Sequence, residues 1–235
     1  MRKNVVVIVG VAIFASEAIW QLYKFFRARR ARRSSDDYEA EMKAGRPFTT
    51  VMFFTKDSAL CRPHLSSGKS CAKLNCAVRY LRQLITHMDR ADKSINVCMF
   101  FLTCTPLCDA LINAHKRGVC VRIITDSHMG DAGLTQALEF YKCGMLVRLR
   151  ELDVLMHHKF VLIDNIIVMS GSINWTMAAF FGNYENIVVT NSAPMVKPFV
   201  EQFEKLWIDF EAPVNFEQLS AGFKHLGKNS LNDRL

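Results

Sequence analysis

The sequence predicts an α/β domain in which helices sandwich a mixed β-sheet. Half of the 235 residues are hydrophobic, which is enough for a sizeable core. Short apolar strands alternate with segments of helical periodicity, and this alternation is typical of α/β domains. The length fits one domain of roughly 150–200 residues together with additional segments.

The elements are predicted in a regular order along the chain. Strands are predicted at 51–54, 95–102, 119–125, 145–149, 159–164, 166–171 and 186–189. Helices are predicted at 72–91, 106–117, 132–143, 175–181 and 195–210. Gly118 and Gly144 follow two of these helices as stop signals, and Asp164 with Asn165 forms the predicted turn between two strands.

The N-terminal segment carries nearly all of the excess charge. Residues 1–35 hold eight basic side chains and one acidic side chain, a charge of +7 out of the formal +8. The remaining residues therefore carry only +1, and the high isoelectric point is poor grounds for predicting nucleic-acid binding. Residues 5–16 are uncharged and apolar. A helix over 5–26 would be about 33 Å long, which can cross a bilayer.

Three interpretations of this segment compete: a cleaved signal peptide, a matrix-targeting presequence and an uncleaved anchor. The basic cluster that follows the apolar run opposes translocation, and a presequence should lack a continuous apolar core. We therefore expect a transmembrane anchor, although Glu17 is costly away from an interface. The positive-inside rule leaves the main domain in the cytosol. A short anchor with basic flanks suits the mitochondrial outer membrane, and the endoplasmic reticulum stays open.

The predicted domain boundaries follow from these changes in composition. The anchor and its basic flank occupy 1–35, and a polar linker with turn residues occupies 36–50. The main domain is expected at 51–212, with a Cys/His-rich insert at 61–76. A weakly patterned C-terminal tail occupies 213–235.

One spaced set of polar residues indicates chemistry. It comprises His157, Lys159, Asp164, Ser172, Asn174 and Glu185. Residues at i and i+2 of a strand point to the same face, so His157 and Lys159 should project together. The following strand returns beside the first and brings Ser172 and Asn174 to the same end. Glu185 begins the next strand and is expected to reach the same pocket.

This set suits the cleavage of a phosphodiester. Lys159 neutralises the negative charge of the phosphate, and the Asn174 amide and Ser172 hydroxyl donate to its non-bridging oxygens. A neutral His157 can then attack phosphorus and form a covalent intermediate. Glu185 is the candidate carboxylate that fixes the tautomer of His157. No catalytic metal or other cofactor is needed, because lysine and the amide supply the electrostatic stabilisation.

The segment resembles the His-Lys-Asp signature of the phospholipase D superfamily and matches it at each signature position. The resemblance implies that His157 is the nucleophile and that Lys159 and Asn174 bind phosphate. It places Asp164 in the catalytic motif, with a mainly structural part in holding the loop at the active site. It also implies a homodimer, because members with one motif bring two copies of His157 together across a two-fold axis. One copy attacks, and the other protonates the leaving oxygen.

The insert offers four metal ligands within a short segment: Cys61, His64, Cys71 and Cys76. Closed Cys₃His sites bind structural zinc, and the resemblance includes an atypical zinc finger. The alternative is a loop with free cysteines. The other five cysteines lie in or beside apolar runs, which indicates a reducing compartment.

The motif specifies a phosphodiester without specifying the substrate. The resemblance implies hydrolysis of cardiolipin, or another anionic phospholipid, to phosphatidate at the mitochondrial surface. It also implies metal-independent cleavage of single-stranded RNA in the production of piwi-interacting RNAs. Arg148 and Arg150 could line a phosphate-binding groove, and Phe180 and Phe181 could touch acyl chains or pack in the core. A catalytically silent membrane tether that binds RNA or proteins is the alternative of a different class.

Overall fold

The structure, a computed structural model, describes residues 15–26, 29, 46–67, 71, 73, 75–150 and 154–211. Its strands are β1 (Thr49–Phe54), β2 (Ser94–Met99), β3 (Cys120–Asp126), β4 (Leu146–Arg150), β5 (Lys159–Ile163), β6 (Ile167–Gly171) and β7 (Glu185–Thr190). The α-helices that pack on them are α1 (Ala77–Asp89), α2 (Thr105–Lys116), α3 (Gly130–Lys142), α4 (Met177–Gly182) and α5 (Ala193–Asp209). A 3-10 helix at Lys56–Cys61 leads into the insert, and a helical turn at His64–Ser67 lies within it.

The seven strands form one mixed sheet in the order β1-β7-β6-β5-β2-β3-β4. Strands β2, β3 and β4 are parallel, whereas β5, β6, β7 and β1 pair with their neighbours in antiparallel fashion. The predicted mixed sheet is confirmed. Strand β2 ends at Met99, earlier than predicted, because the chain then leaves the ladder and Leu102 forms an isolated bridge with Trp175.

Helices cover both faces of the sheet, and strand β5 shows how. Its side chains alternate between two cores. Phe160 and Leu162 pack in the core that includes Phe203 of α5. Val161 and Ile163 belong to the larger core beneath α1, α2 and α4. The central strands are therefore buried on both sides, and the chemistry has to lie at the strand ends.

Arg122 of β3 connects the sheet to α5. Its Nε donates to Asn96 Oδ1 at 2.9 Å, and its Nη1 donates to Glu204 Oε2 at 3.0 Å. The guanidinium also lies 4.9 Å from the ring centroid of Phe203 and 5.2 Å from that of Trp207. Stacking combined with paired hydrogen bonds suits the planar guanidinium and fixes where α5 crosses the sheet.

Asp164 forms the turn between β5 and β6 and ties it to the start of β2. Asp164 and Asn165 both have positive φ values, 53° and 55°, as the central residues of a type I′ turn require, and the Ile166 N–H closes this turn on the Ile163 oxygen at 2.9 Å. The Asp164 carboxylate accepts the backbone N–H groups of Asp92 at 3.0 Å, Lys93 at 2.7 Å and Ser94 at 2.8 Å. One side chain therefore fixes the relative position of the β5–β6 turn and of β2.

The cysteines follow the sequence expectation only in part. Cys98, Cys104 and Cys108 are buried, and burial raises the pKa of Cys104 to about 12. Cys120 and Cys143 are exposed, because the first begins β3 and the second follows the end of α3. Their apolar neighbours in the sequence did not indicate burial correctly.

The predicted anchor lies largely outside the described residues. Residues 15–26 are helical and exposed, and they carry large apolar side chains such as Ile19, Leu22 and Phe25. None of the helices in the described parts of the chain combines the length and the apolar character that a membrane crossing requires. Residues 1–14, most of the linker and the tail from 212 onwards also lie outside the described residues.

Candidate active site

His157 and Lys159 meet at the edge of the sheet where β5 begins. Lys159 Nζ lies 3.1 Å from His157 Nε2 and also donates to the backbone oxygen of His157 at 3.0 Å. The ring of Phe100 packs edge-on against the imidazole, with centroids 4.9 Å apart, and Lys159 Nζ lies 5.8 Å from the same aromatic ring. An ammonium and an imidazole nitrogen are thus held together at a surface open to solvent.

The environment at this edge affects the protonation of Lys159 and of His158. Burial lowers the pKa of Lys159 below its ordinary value, and the negative charge of Glu185 partly offsets this effect. Burial also lowers the pKa of the neighbouring His158, with smaller contributions from Lys159 and His157. Glu185 therefore supports the protonated form of Lys159 against the effect of burial.

Glu185 is held by the residues around it rather than by His157. Ser172 Oγ donates to Glu185 Oε2, and Asn183 Nδ2 donates to Glu185 Oε1 at 3.0 Å. Ser172 Oγ in turn accepts the backbone N–H of Asn186 at 3.1 Å. Within the described residues no hydrogen bond joins Glu185 to His157. The expected carboxylate–imidazole contact is therefore not made between these two described residues, and the charge of Glu185 instead supports the protonated form of Lys159.

Gly171 allows Ser172 to reach this position. A Cβ atom on Gly171 would lie 2.0 Å from the backbone oxygen of Asn186, closer than any real contact. Strands β6 and β7 approach each other here, and only glycine leaves the space. The close approach brings Ser172 against Glu185 at the same edge as His157.

Asn174 lies at this edge as well, in the loop after β6. The backbone N–H of the next residue, Trp175, donates to the oxygen of Phe101 at 2.9 Å, which places the loop beside the end of β2. The Oδ1 atom of Asn174 is buried, and no described residue donates to it. A buried polar atom without a partner is costly and calls for an explanation.

Asp164 is the signature residue that the structure does not bring to the site. Strand β5 lies between His157 and Asp164, and seven residues of extended chain span about 23 Å. Asp164 therefore occupies the opposite edge of the sheet. We expected it to tie down a loop at the active site, and the location of that loop was predicted wrongly. Its hydrogen bonds to three backbone N–H groups are structural.

Three of the other residues considered for substrate binding are engaged elsewhere, and the side chain of the fourth, Arg150, lies outside the described part of the structure. Arg148 lies 4.1 Å from the ring centroid of Trp207, donates to the backbone oxygen of Trp207 and forms an ion pair with Glu211 at 3.8 Å. It holds α5 and is not available to line a phosphate groove. Phe180 and Phe181 are buried in the larger core, so they pack in the core rather than contact acyl chains.

A buried carboxylate near His157 was missed from the sequence. Asp126, at the end of β3, is 1% exposed. Its Oδ2 accepts the backbone N–H of Met156 at 2.7 Å, and its Oδ1 accepts the Nδ1 proton of His128 at 2.7 Å. The sequence did contain a signal, because Asp126 ends a buried parallel strand, and such ends meet at one edge of a sheet.

An apolar groove of about 360 Å³ opens beside His157. It is lined by Val154, Leu155, Met156, His157, His158, Leu206 and Phe210. Val154 is 75% exposed and Leu155 is 50% exposed, which is unusual for aliphatic side chains next to a polar site. No lysine or arginine is among the described residues that line this groove.

The four predicted ligands of the insert come together. The ligand atoms of Cys61, His64, Cys71 and Cys76 all lie within 4.8 Å of one another, and Nδ1 of His64 is buried without a partner. Burial and the neighbouring thiols of Cys76 and Cys71 raise the pKa of Cys61 to about 12. Three sulfurs and one orphaned nitrogen fit a tetrahedral metal ion, which would satisfy all four atoms.

Comparisons with known proteins agree with the fold and with the motif. The family model described as "Cardiolipin synthase, PLD-like domain" matches residues 84–207, more than half of the chain. The human mitochondrial cardiolipin hydrolase is 34% identical over 203 residues, which cover 86% of this chain and 78% of that protein. The Xenopus tropicalis protein of the same name is 32% identical over 180 residues, covering 75% of this chain and 84% of that protein.

Two solved structures share this architecture. Nuc from Salmonella typhimurium, a phospholipase D family member, superimposes with a TM-score of 0.53 at 27% identity, covering 68% of this chain and 94% of Nuc. NucT from Helicobacter pylori has the same TM-score of 0.53 at 21% identity, covering 68% of this chain and 94% of NucT. The chain therefore belongs to the phospholipase D superfamily of phosphodiesterases, in the family of the mitochondrial cardiolipin hydrolases.

Proposed function

We propose that this chain is a membrane-anchored phosphodiesterase that hydrolyses cardiolipin to phosphatidate through a phosphohistidine intermediate on His157. The observation that carries the proposal is the 3.1 Å contact between Lys159 Nζ and His157 Nε2 at an exposed sheet edge. The ammonium neutralises an incoming phosphate and lies next to the nitrogen lone pair that attacks it. The complete set of site residues argues against a catalytically silent tether.

The proposed reaction has two steps. His157 Nε2 bonds to phosphorus as the bond to the leaving oxygen breaks, and a general acid protonates that oxygen. Water then attacks the phosphohistidine, which returns the imidazole and releases the phosphomonoester. Lys159 and the Asn174 amide bind the non-bridging oxygens. Ser172 donates to Glu185 in this structure, so we assign both residues to the support of Lys159 rather than to direct phosphate binding.

The general acid is supplied by a second copy of the chain in this proposal. The sequence holds one His-x-Lys-x₄-Asp motif, which places a single nucleophile in each chain. His157 is exposed at the sheet edge and can therefore face its counterpart across a two-fold axis. Each homodimer would then hold one complete site, in which one His157 attacks and the other exchanges the proton.

A lipid substrate is favoured by the groove beside His157. Its exposed Val154 and Leu155 suit an acyl chain, because burial of apolar surface supplies roughly 25 cal/mol per Å². Single-stranded RNA is the second candidate. Tyr184 is 72% exposed next to Glu185 and offers a ring on which a base can stack. RNA cleavage would fit a part in the production of piwi-interacting RNAs.

The proposed location is the mitochondrial outer membrane, with the catalytic domain facing the cytosol. The relatives are named as mitochondrial proteins, and the basic cluster after the apolar segment predicts this orientation for a single-pass anchor. The exposed Ile19, Leu22 and Phe25 of the N-terminal helix support contact with a membrane.

Zinc is the proposed occupant of the Cys/His cluster, as a structural ion. All four positions of a tetrahedral ion would be filled by protein, so no position remains for water or substrate. Cys61 and Cys76 are buried in the larger core, and the ion would therefore connect the insert to the domain. Catalysis itself would use no metal.

The substrate assignment is tested with the purified full-length chain on cardiolipin vesicles and on 5′-labelled single-stranded RNA. We expect phosphatidate from the vesicles, and His157→Asn should lower the rate at least about a thousandfold. Mass spectrometry measures the lipid, and gel electrophoresis measures the RNA. If the chain cleaves RNA and leaves cardiolipin intact, RNA rather than cardiolipin is its substrate. If His157→Asn keeps the wild-type activity on both substrates, the nucleophile assignment is refuted.

The shared site is tested by mixing wild-type and His157→Asn chains. Because both histidines are required, purified mixed dimers should be nearly inactive. Random assembly of equal amounts should leave about one quarter of the wild-type activity rather than one half. Differential tags allow the mixed dimer to be isolated and assayed. A mixed dimer with half of the wild-type activity would show that each chain works alone.

The part played by Glu185 predicts a shift in the pH profile. Glu185 raises the pKa of Lys159 against the effect of burial, so Glu185→Gln should lower that pKa further. The fall in kcat/KM at alkaline pH, where Lys159 loses its proton, should then begin at lower pH. Glu204→Gln serves as the control, since Glu204 pairs with Arg122 away from the site. A shift confined to the acidic limb would instead favour an action of Glu185 on His157.

Metal analysis tests the zinc site. We expect one zinc per chain, and Cys71→Ser should lose the ion and about 2 kcal/mol of stability, a fall of about 4–8 °C in Tm. The matched control is Cys143→Ser, which changes an exposed cysteine outside the cluster. Protein without stoichiometric zinc, or two variants with the same Tm, would exclude a structural zinc site.

A further inference from the structure

We propose that Asp126 is a positioning residue for the nucleophile, acting through the peptide that leads into His157. The proposal rests on the assignment of His157 as nucleophile. Asp126 is 1% exposed, and its Oδ2 accepts the backbone N–H of Met156 at 2.7 Å. Met156 immediately precedes His157, so this bond holds the backbone one residue away from the attacking ring.

The bond matters because of how the segment enters the sheet. The ladder between β5 and β2 begins where Lys159 pairs with Met99, and Phe100 donates its N–H to the oxygen of His158 at 3.2 Å. These bonds hold the backbone on the C-terminal side of His157. Asp126 holds it on the N-terminal side. Because its short side chain lies 2.7 Å from the Met156 nitrogen, the segment before His157 must cross the end of β2 toward the end of β3.

The side chain of Met156 adds a second contact on the N-terminal side. It is buried, and its Sδ lies 3.3 Å from Cys98 Sγ in the core beneath the segment. Apolar packing alone permits sliding, whereas the hydrogen bond to Asp126 fixes one point of the backbone. His157 is therefore held at both ends, as a nucleophile that must meet phosphorus requires.

His128 keeps the Asp126 carboxylate in place. Asp126 Oδ1 accepts the backbone N–H of His128 at 2.8 Å and its Nδ1 proton at 2.7 Å. Both oxygens of the carboxylate are thus occupied, and rotation away from Met156 would break these bonds. Because the backbone bond from residue 128 survives truncation of the imidazole, His128→Ala should have a smaller effect than a change at Asp126.

The matched control lies at the opposite edge of the sheet. Asn191 follows the end of β7, and its Oδ1 accepts the backbone N–H of Phe48 at 2.7 Å. Asp126 and Asn191 therefore both hold a backbone N–H at the same distance, one beside the nucleophile and one far from it. Truncation of either residue to alanine costs stability, and only the first should affect the chemical step.

The experiment compares full-length Asp126→Asn, Asp126→Ala, His128→Ala and Asn191→Ala with wild type on the substrate cleaved by the wild-type enzyme. We expect both Asp126 variants to lose about 10–100-fold in kcat at nearly unchanged KM, because a displacement of about 1 Å at the reacting atom costs this much. His128→Ala should lose less, and Asn191→Ala should keep its kcat per folded molecule. If Asp126→Ala does not fold, the isosteric Asp126→Asn decides the result.

A second measurement does not depend on activity. In ¹⁵N-histidine-labelled protein, the ring resonances of His157, assigned with His157→Asn, should shift in Asp126→Asn and stay in place in Asn191→Ala. Asp126 variants that lose Tm but keep kcat and the His157 resonances would overturn the proposal. Full activity of His157→Asn would instead refute the proposed function, and the resonance shift would still report whether Asp126 positions the ring.

Discussion

The antiparallel pairing of β5 with β2 is the constraint from which the site follows. Strands β2, β3 and β4 are parallel and end at one edge of the sheet, and β5 begins at that edge. Because Met99 pairs with Lys159, the residues that follow β2 must lie beside those that precede β5. Phe100 consequently packs against His157, and Asp126 reaches Met156.

This constraint also gives Asp164 a part in function despite its distance. A strand that slips by one residue turns each side chain to the other face, so the position of Lys159 depends on the register of β5. Asp164 binds the backbone immediately before β2 and its first residue, and it thereby fixes this register from the far end. The signature motif thus places His157 and Lys159 at one end of β5 and the register-fixing Asp164 at the other end. The spacing between Lys159 and Asp164 corresponds to the length of this buried strand.

The sequence predicts local structure well and long-range contacts poorly. Periodicity located all seven strands, and alternation within a hairpin was enough to expect His157, Lys159 and Ser172 at one edge. The sequence left open whether Arg148 lines a phosphate groove, because its partner Trp207 lies 59 residues away on a helix. Glu185 was expected to contact His157, whereas Ser172 and Asn183 take up its oxygens. Such choices depend on side-chain geometry that no local pattern encodes.

Substrate preference depends on which charges remain free near the nucleophile. Nucleic-acid affinity comes largely from several cations that contact successive phosphates. Arg148 is used to hold α5, and the described residues that line the groove beside His157 are apolar apart from the two histidines. Among the described residues at this edge, the Lys159 ammonium with apolar surface beside it suits one phosphodiester better than a polyanion. That combination fits the phospholipid substrate proposed above.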